Sequence, residues 1–296
     1  MRQFVIMLLW LGGLATACAL APLYPRRHVM AAAAIAAVPH PSGAASSLTD
    51  AEGRFVVDPQ KAANGLLDPL AEPEGAYSTI SSALAVAPAD ATVIVRPGTY
   101  AERGLTISRG VRLIADAGAV LDFKAANPNE PALCVDLSGA SAPSSVLISG
   151  LRIKHFSPYF SQNYGVYVPR PAATADGSTR IELQGCEVSS SSGTGIGVEG
   201  GELVLTDCKI TSCKYHGVAF VGPTARGAVR RCVIENCKLN GVLLREGASP
   251  TLEANRLLGN GQYGAALLDC RGRYLESNQA SGNGKGAVSG ECDEGD

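Results

Sequence analysis

Four side chains in this sequence are of types that take part in acid–base chemistry: Asp136, Glu199, His216 and Arg245. Two carboxyl groups can act together on a bond that they flank; at a glycosidic bond, for example, they stand roughly 5 to 9.5 Å apart. Asp136 and Glu199 follow equivalent apolar segments two repeat units apart, which corresponds to about 10 Å if each unit rises by one strand spacing. Two solvated turn acids are the ordinary interpretation of this pair, and catalysis is the alternative.

A second set of polar residues stands at or beside the position just before a recurring glycine. Stacked along one edge of a repetitive structure, these side chains would form a strip that holds an extended polar ligand or a partner's loop. A solvated turn edge is the alternative. The strip comprises Tyr164, Thr194, Tyr215, His216, Asn240, Gln262 and Tyr263. His216 has no acid or second histidine in phase, so we predict neither a metal site nor a nucleophile triad, and no cofactor.

The elements that carry these residues repeat along the second half of the chain. Segments that begin with glycine recur 22, 24, 23 and 22 residues apart, at Gly195, Gly217, Gly241, Gly264 and Gly286. A second column in phase with the glycines holds Cys186, Cys208, Cys232, Asn255 and Asn278, and a third holds Ser191, Cys213, Cys237, Asn260 and Asn283. A sustained period of this length is typical of a solenoid.

Short runs of Val, Ile and Leu alternate with turns in each unit, and no helical stretch lies between them, which argues against a leucine-rich repeat. A single unit cannot bury its own apolar face, so successive units must stack about 4.8 Å apart. The pattern predicts an all-β chain, folded as a right-handed single-stranded parallel β-helix of about nine coils. Equivalent residues of successive coils would then lie above one another.

The repeats resemble the right-handed parallel β-helix repeat family, the pectin-lyase-like superfamily, over about residues 75 to 290. A helix, the strand Val93-Ile-Val95 and the turn Pro97-Gly-Thr-Tyr100 follow one another as at the amino end of many members. The resemblance implies that catalytic carboxylates would stand on the outward positions of the strand written Gly-Val-x-Val. Those positions hold Cys134, Tyr167, Gly197, Ala219, Leu243 and Ala266, none of them acidic.

Four cysteines form a repeated Cys-x4-Cys pattern: Cys208, Cys213, Cys232 and Cys237. Cysteine is small and apolar, so a reduced ladder in a tight corner of the core is one interpretation. Disulfides that join Cys208 to Cys232 and Cys213 to Cys237 on adjacent coils are a second, because the coil spacing lies within the range that a disulfide tolerates. The spacing is atypical for a zinc site.

Residues 1–48 contain no acidic residue and are predicted to be a targeting leader, a signal peptide followed by a twin-arginine-type segment. A signal anchor is the alternative to the signal peptide. The second apolar run, Val29 to Val38, has 10 residues and is too short to span a bilayer. The arrangement resembles the leaders of algae with complex plastids. This resemblance implies the thylakoid lumen, with a secreted or periplasmic protein as the alternative, and no membrane span in the mature form.

Three further segments follow the leader. Residues 49–74 are predicted to be a linker or arm, residues 75–290 the β-helix and residues 291–296 an acidic tail. Within the β-helix segment, Tyr77 to Ala87 has the apolar spacing of a short amphipathic helix behind Ser78 or Thr79 as its N-cap. We expect this helix to cap the open amino end of the solenoid, where strand edges would otherwise be exposed.

Charge narrows the classes of function. Without the three arginines of the leader, 22 basic residues stand against 27 acidic ones, and no stripe of Lys and Arg is visible, which argues against a nucleic-acid partner. We predict a non-catalytic β-helix that acts as a rigid interaction or scaffold module, with a protein partner in the lumen or an extended glycan. The alternatives are a polysaccharide-active hydrolase, lyase or esterase with an atypical site, and a carbohydrate-binding module.

Overall fold

The computed structural model describes residues 49–62, 76–139, 144–159, 163–170 and 180–293. The predicted leader, residues 1–48, lies outside them, as do residues 63–74 of the predicted linker, the first residue of the predicted β-helix segment and the last three residues of the predicted tail. The described part of the chain is a solenoid of parallel strands with one α-helix near its amino end.

The amino-terminal elements are β1 (Phe55–Val57), a 3-10 helix (Pro59–Ala62), β2 (Ala76–Tyr77) and α1 (Ile80–Val86). Eight coils of three strands each follow within the described residues. The first four coils are β3 (Ala91–Val95), β4 (Gly98–Tyr100), β5 (Leu105–Ile107); β6 (Val111–Ala115), β7 (Ala119–Lys124), β8 (Leu133–Val135); β9 (Ser145–Ser149), β10 (Arg152–Phe156), β11 (Tyr164–Val168); and β12 (Arg180–Gln184), β13 (Glu187–Ser190), β14 (Thr194–Val198). The last four are β15 (Gly201–Thr206), β16 (Lys209–Thr211), β17 (Val218–Val221); β18 (Ala225–Arg230), β19 (Val233–Glu235), β20 (Val242–Arg245); β21 (Ser249–Glu253), β22 (Arg256–Leu258), β23 (Tyr263–Leu268); and β24 (Arg273–Tyr274), β25 (Gln279–Ser281), β26 (Gly286–Ser289).

The three strands of each coil belong to three parallel sheets. The first strands form sheet A, which β1 and β2 extend to ten strands in the order β2-β1-β3-β6-β9-β12-β15-β18-β21-β24. The second strands, β4 to β25, form the eight-stranded sheet B, and the third strands, β5 to β26, form the eight-stranded sheet C. The predicted right-handed parallel β-helix is confirmed, with eight complete coils in the described residues where about nine were expected.

The core of the solenoid follows from the alternation of side chains along each strand. In β12, Ile181 and Leu183 point inward and are buried, whereas Arg180 and Gln184 point outward and are exposed. Because equivalent strands pair in register, each of the first seven coils adds one apolar layer, mostly of Val, Ile and Leu, to a continuous core. Strand β14 departs from the alternation, since all five of its residues are buried. The outer side of sheet C is therefore covered by neighbouring side chains.

The predicted Cys–Asn column stands at the corner between sheets A and B as one vertical file. The backbone N–H groups of Lys209, Val233 and Arg256 donate to the carbonyls of Cys186, Cys208 and Cys232, each one coil earlier. The same phase holds for all five members, which are Cys186, Cys208, Cys232, Asn255 and Asn278. For the last of them, the N–H of the following residue, Gln279, donates a hydrogen bond to Asn255 O. Side chains stack in the file as predicted, and we call it the Cys–Asn ladder.

Cysteine and asparagine do the same hydrogen-bonding work in this ladder. Asn255 Nδ2 donates to Val229 O at 2.7 Å, and the Cys208 thiol donates to the equivalent carbonyl, Leu183 O, at 3.3 Å. The Asn255 Oδ1 accepts from Cys232 N–H at 2.9 Å. An interior corner therefore needs a short side chain that can donate to a carbonyl and accept from an amide, and both residue types meet that need.

The third predicted column, at the corner between sheets B and C, is shifted by one residue at its first member. Lys214 N–H donates to Ser190 O where Lys238 N–H donates to Cys213 O, so Ser190 is the equivalent of Cys213. Ser190 is buried and Ser191 is exposed. The assignment of Ser191 to this column is therefore wrong. A run of four serines, residues 189 to 192, hides the register in the sequence. The other members hold their predicted phase: Cys213, Cys237, Asn260 and Asn283. Asn260 is joined to Asn283 by two hydrogen bonds, which its backbone N–H and its Nδ2 donate to Asn283 Oδ1.

Helix α1 covers the amino end of the core, as the sequence predicts. Thr79 is its N-cap and accepts from Ser82 N–H, and Ile80 and Ala83 are fully buried against the first coil. The carboxylate of Glu102 accepts from Ile80 N–H at 2.6 Å and from Ser81 N–H at 2.8 Å. At the other end, the Arg109 guanidinium donates to Leu84 O. An anion at the N-terminus and a cation at the C-terminus both suit the helix dipole.

We expect Glu102→Ala to lower the free energy of unfolding by about 1 to 2 kcal/mol, because two backbone N–H groups of α1 lose their acceptor and the dipole loses its counter-charge. Urea denaturation followed by circular dichroism measures the change. Glu276→Ala, at an exposed position, is the matched control and should leave stability within about 0.5 kcal/mol. Equal stability of the two variants would contradict this role of Glu102.

The structure adds two features to the predicted segments. The predicted linker contains β1, which pairs in parallel with β3 through Val56 and Ile94 and places Val57 in the core. The predicted tail is held to the last coil, because Cys292 forms a disulfide with Cys270 at a Cα–Cα distance of 4.6 Å. Sheet structure therefore begins before the predicted amino-terminal boundary, and contacts with the solenoid continue past the carboxyl-terminal one.

Candidate interaction face on sheet C

The outward row of sheet C is the position at which the resemblance would put catalytic carboxylates. Register pairing aligns Cys134 with Tyr167, Tyr167 with Gly197, and so on through the row Cys134, Tyr167, Gly197, Ala219, Leu243 and Ala266. Although they point outward, Ala219, Leu243 and Ala266 are only 6%, 8% and 3% exposed and form an apolar cluster of their own. This row is the floor of the face that we call the sheet C face.

One wall of the sheet C face is the predicted polar strip. Gly195 N–H donates to His216 O, Gly217 N–H to Asn240 O and Gly241 N–H to Tyr263 O, so these residues stand one coil apart. Tyr164 pairs with Thr194 at the start of the same file. The structure thus brings together Tyr164, Thr194, His216, Asn240 and Tyr263, while Tyr215 and Gln262 lie in the adjacent file.

Burial divides the strip into structural and accessible members. Thr194 and Asn240 are each 5% exposed, and Asn240 Oδ1 accepts from Tyr263 N–H at 3.0 Å. These two residues therefore serve the fold and present little surface to a ligand. The half-buried members are Tyr164, Tyr215, His216, Gln262 and Tyr263. Lys285 adds a cation 6.0 Å from the centre of the Tyr263 ring.

Two tyrosines close the amino-terminal end of the face. The rings of Tyr164 and Tyr167 stack with centroids 4.9 Å apart and an interplanar angle of 6°. The Tyr164 ring lies over Gly197, where an added Cβ would come within 2.3 Å of the ring. Glycine at this position therefore makes room for the ring, and the stacked pair has a fixed position beside the apolar floor.

Charged side chains form the opposite wall. Glu199 follows β14 near the Tyr167 hydroxyl; burial first, and then the negative charge of Glu199 and hydrogen bonding to it, raise the pKa of Tyr167. Burial raises the pKa of Tyr164 to about 12, with Glu199 acting in the same direction. Arg245 ends β20, and the Arg170 guanidinium passes close to Gly222. The wall thus combines one carboxylate with two guanidinium groups.

The geometry does not assemble a hydrolytic pair from Asp136 and Glu199. They follow Val135 and Val198, which both align with Val168, so they are two coils apart, about 10 Å at the strand spacing. Asp136 Oδ1 accepts from Ser138 N–H at 3.0 Å and serves its own turn. Arg245 approaches Glu246 at 3.4 Å and does not join the two carboxylates. Asp136 and Glu199 thus fit the interpretation as turn acids better than that of a catalytic pair.

His216 is held neutral. Burial, followed by the positive charge of Arg245, lowers the pKa of His216 to about 4. Its Nδ1 lies 3.4 Å from the Asn240 backbone nitrogen, which donates to it.

A second buried histidine, His155, lies on β10 of sheet B. Burial lowers its pKa to about 4 as well. His155 Nε2 is 3.3 Å from Glu130 O and its Nδ1 is 2.8 Å from Ser190 Oγ, which suits a neutral ring.

We expect stability to fall as the pH is lowered from about 6.5 towards 4. An unfolded histidine titrates near its ordinary pKa of about 6.5, so in this window the unfolded state binds more protons, and stability rises with pH by up to about 1.4 kcal/mol per pH unit for each histidine. Urea midpoints between pH 7 and 4 measure the slope. His155→Gln should flatten it, whereas Lys154→Gln on the exposed side of the same strand should not; identical slopes would contradict the assignment.

The cysteines of the predicted Cys-x4-Cys pattern are free thiols. Cys208, Cys213, Cys232 and Cys237 are all buried and unbridged, so the structure contains the reduced ladder and not the disulfide alternative. The disulfide joins Cys270 to Cys292, which sequence reasoning missed. Their separation of 22 residues equals one repeat, and this was the signal that could have identified the pair.

The described residues offer no candidate metal site, and the cysteine in the outward row of sheet C, Cys134, is not activated. No group of three or more His, Cys, Asp or Glu side chains there could hold a metal ion. Burial, with the Asp136 charge second, raises the pKa of Cys134 to about 12, so this outward cysteine is a thiol at neutral pH. The described part of the chain also has no helix of the length and apolar character needed to cross a membrane.

The chain matches one protein family and is distantly similar to several solved structures. The family described as "Right handed beta helix region" matches residues 135–294. Among solved structures, the chain is similar to the pectate lyase Pel9A, at 12% identity over 81% of this chain and 76% of that chain with a TM-score of 0.45. It is also similar to the pectin methylesterase PemA from Erwinia chrysanthemi, at 16% identity over 79% and 69% with a TM-score of 0.39. Among curated proteins, none matches the chain.

Proposed function

Because the chain belongs to the right-handed β-helix family, we propose that it uses this fold without catalysis, as a rigid interaction module whose binding surface is the sheet C face. The observation that carries the proposal is the outward row of sheet C. Its residues from Gly197 to Ala266 are glycine, alanine and leucine, in register and without a carboxylate. A floor of this kind has little exposed surface of its own; it sets the shape of the face between its two walls and carries no group that can give or take a proton.

The dimensions and chemistry of the face support an extended partner. The floor runs along the solenoid axis over at least four coils, with polar side chains on one wall and Glu199, Arg170 and Arg245 on the other. A buried apolar centre with a charged and aromatic rim is the usual anatomy of a protein interface. We propose a protein partner that lays an extended segment along this floor.

Protein capture tests this function. Immobilised wild-type protein is incubated with extract from its native compartment, and bound proteins are quantified by mass spectrometry. Leu243→Glu places a charge on the floor and should reduce capture of the partner at least about tenfold. Leu258→Glu, on the outer side of sheet B, is the matched control and should retain capture. A protein set that is the same for all three baits would contradict the proposal.

An extended glycan is the second candidate, and the stacked pair of Tyr164 and Tyr167 favours it. Parallel aromatic rings of fixed position beside hydrogen-bonding groups are suited to the apolar faces of sugar rings. Calorimetric titration with uronic-acid and neutral oligosaccharides tests this candidate. Binding that Tyr164→Ala weakens by about tenfold or more supports it, because aromatic side chains are enriched among the residues that supply most of the binding energy. The absence of saturable binding to every glycan would exclude it.

The compartment is part of the proposal. The leader predicted in residues 1–48 supports delivery to the thylakoid lumen of a complex plastid, and a secreted or periplasmic location is the alternative. Expression of residues 1–48 fused to a fluorescent protein in an alga of that type tests it. Fluorescence that enters the lumen supports the proposal, and fluorescence in the medium supports the alternative.

A further inference from the structure

The last coil differs from the seven before it in how it is held. Strands β24, β25 and β26 pair with β21, β22 and β23, and no strand of the described chain pairs with their other edges. From residue 273 to residue 293 no residue is buried, whereas Leu252, Leu257 and Ala265 in the preceding coil are fully buried. Apolar burial therefore contributes little to holding this coil in place.

Two other kinds of contact hold the coil. Asn278 Oδ1 and Asn283 Oδ1 accept from Asn255 N–H and Asn260 N–H at 3.0 and 2.9 Å, which continues the two amide files. The Cys270–Cys292 disulfide joins the chain just before β24 to the chain just after β26, and so encloses all three strands. Asp293 N–H donates to Cys270 O at 2.8 Å beside it.

We propose that the Cys270–Cys292 disulfide is a reducible lock, whose opening by a dithiol reductant releases the last coil while the rest of the solenoid stays folded. A disulfide stabilises by restricting the loop that it closes, and here that loop is one whole coil. Local release needs a segment with few buried contacts, and residues 273–293 meet this condition.

The chemistry balances with the reductant alone. Cys292 is partly exposed and Cys270 is buried, so a thiolate of the dithiol attacks Cys292 Sγ. The S–S bond breaks, Cys270 leaves as a thiolate and takes a proton, and a mixed disulfide forms at Cys292. The second thiol of the reductant then displaces Cys292, so that the protein gains two hydrogen atoms and the reductant becomes a disulfide.

Release of this coil would alter the sheet C face. Gly286 pairs with Tyr263, and the Lys285 ammonium lies over the Tyr263 ring. Departure of β26 would remove this cation and leave Tyr263 at the end of the strip. It would also uncover the edges of β21, β22 and β23 together with core residues of the seventh coil. The redox state of one disulfide would thus set the length of the interaction face.

Hydrogen–deuterium exchange of the full chain with and without dithiothreitol tests the lock. We expect the amides of residues 273–289 to exchange roughly a hundredfold faster after reduction, the amides of β3 to β20 to be unchanged, and the intact mass to rise by two hydrogen atoms. The variant Cys270→Ala/Cys292→Ala should exchange at the fast rate under both conditions. The five buried thiols that are already reduced make no contribution to this change.

Three results would overturn the inference. They are an unchanged mass after treatment, a reduced protein with unchanged exchange in residues 273–289, and a loss of protection along the whole solenoid. The wild-type comparison decides the question even if the double variant does not fold. Because none of these measurements involves a partner or a glycan, failure of the lock and failure of the proposed function are distinguishable.

Discussion

Asn255→Leu is expected to lower the free energy of unfolding by about 3 to 5 kcal/mol. Asn255 is 1% exposed, its Nδ2 donates to Val229 O at 2.7 Å and its Oδ1 accepts from Cys232 N–H at 2.9 Å. Leucine has a similar size and neither function, so a buried carbonyl and a buried amide lose their partners. Each unsatisfied buried group costs roughly 1 to 3 kcal/mol, and the bond to Asn278 is lost as well.

Urea denaturation at pH 7 measures this loss, with Gln184→Leu as the matched control. Gln184 carries the same amide group on the outer side of sheet A, where it is exposed, and its replacement should change stability by less than about 0.5 kcal/mol. Cys232→Asn is the complementary variant, since it extends the amide file by one coil and should be tolerated. A loss of less than about 1 kcal/mol for Asn255→Leu would contradict the role of the ladder.

Gly227→Ala is expected to be the most destabilising single-methyl addition in the described solenoid, with a loss of about 3 kcal/mol or more. Gly227 pairs with Leu203 in the middle of sheet A and has a φ of 131°, a conformation that favours glycine. An added Cβ would lie 1.9 Å from Leu203 O. This atom belongs to the backbone of the preceding coil, so relief of the contact requires the two coils to separate.

Thermal and urea unfolding of Gly227→Ala are compared with those of Gly201→Ala. Gly201 also has a positive φ, of 76°, but an added Cβ there has no atom within 4 Å. The control therefore includes the backbone strain without the contact and should lose only about 1 kcal/mol. If the two variants lose equal stability, the close approach of coils at Gly227 is not what limits this position.

The fold was predictable from the sequence because stacking turns columns into files. Cys186, Cys208 and Cys232 stand above one another because residues one repeat apart occupy the same corner, and the same holds for Asn255. The capping helix was predictable for a local reason, since Thr79 and the spacing of Ile80 and Ala83 are signals within one short segment. In both cases the information lies in a pattern that neighbouring residues share.

Other features depend on contacts that have no periodic signal. The pairing of Val56 with Ile94 joins segments separated by residues outside any repeat. The stacking of Tyr164 on Tyr167 depends on ring orientation over Gly197. The strip illustrates the same limit, because its phase was predicted correctly, while the burial of Asn240 follows from neighbours on adjacent coils.

The capping role of Glu102 was hidden for the same reason. The five-residue motif Gly98-Thr-Tyr-Ala-Glu102 carries no periodic signal that links its glutamate to α1. In the structure this carboxylate binds the N-terminus of α1, 21 and 22 residues earlier in the chain. A motif of five residues therefore has a structural explanation here, since an anion at a helix N-terminus stabilises the cap.

We propose that the sheet C face binds its partner without catalysis, and a turnover assay tests the absence of catalysis most directly. Purified mature protein is incubated with a panel of uronic-acid and neutral glycans, and new reducing ends, unsaturated products and released methanol are quantified by mass spectrometry. The outward row of Gly197, Ala219, Leu243 and Ala266 predicts no product above that of Glu199→Gln. Product that the wild type forms and Glu199→Gln does not form would contradict the claim.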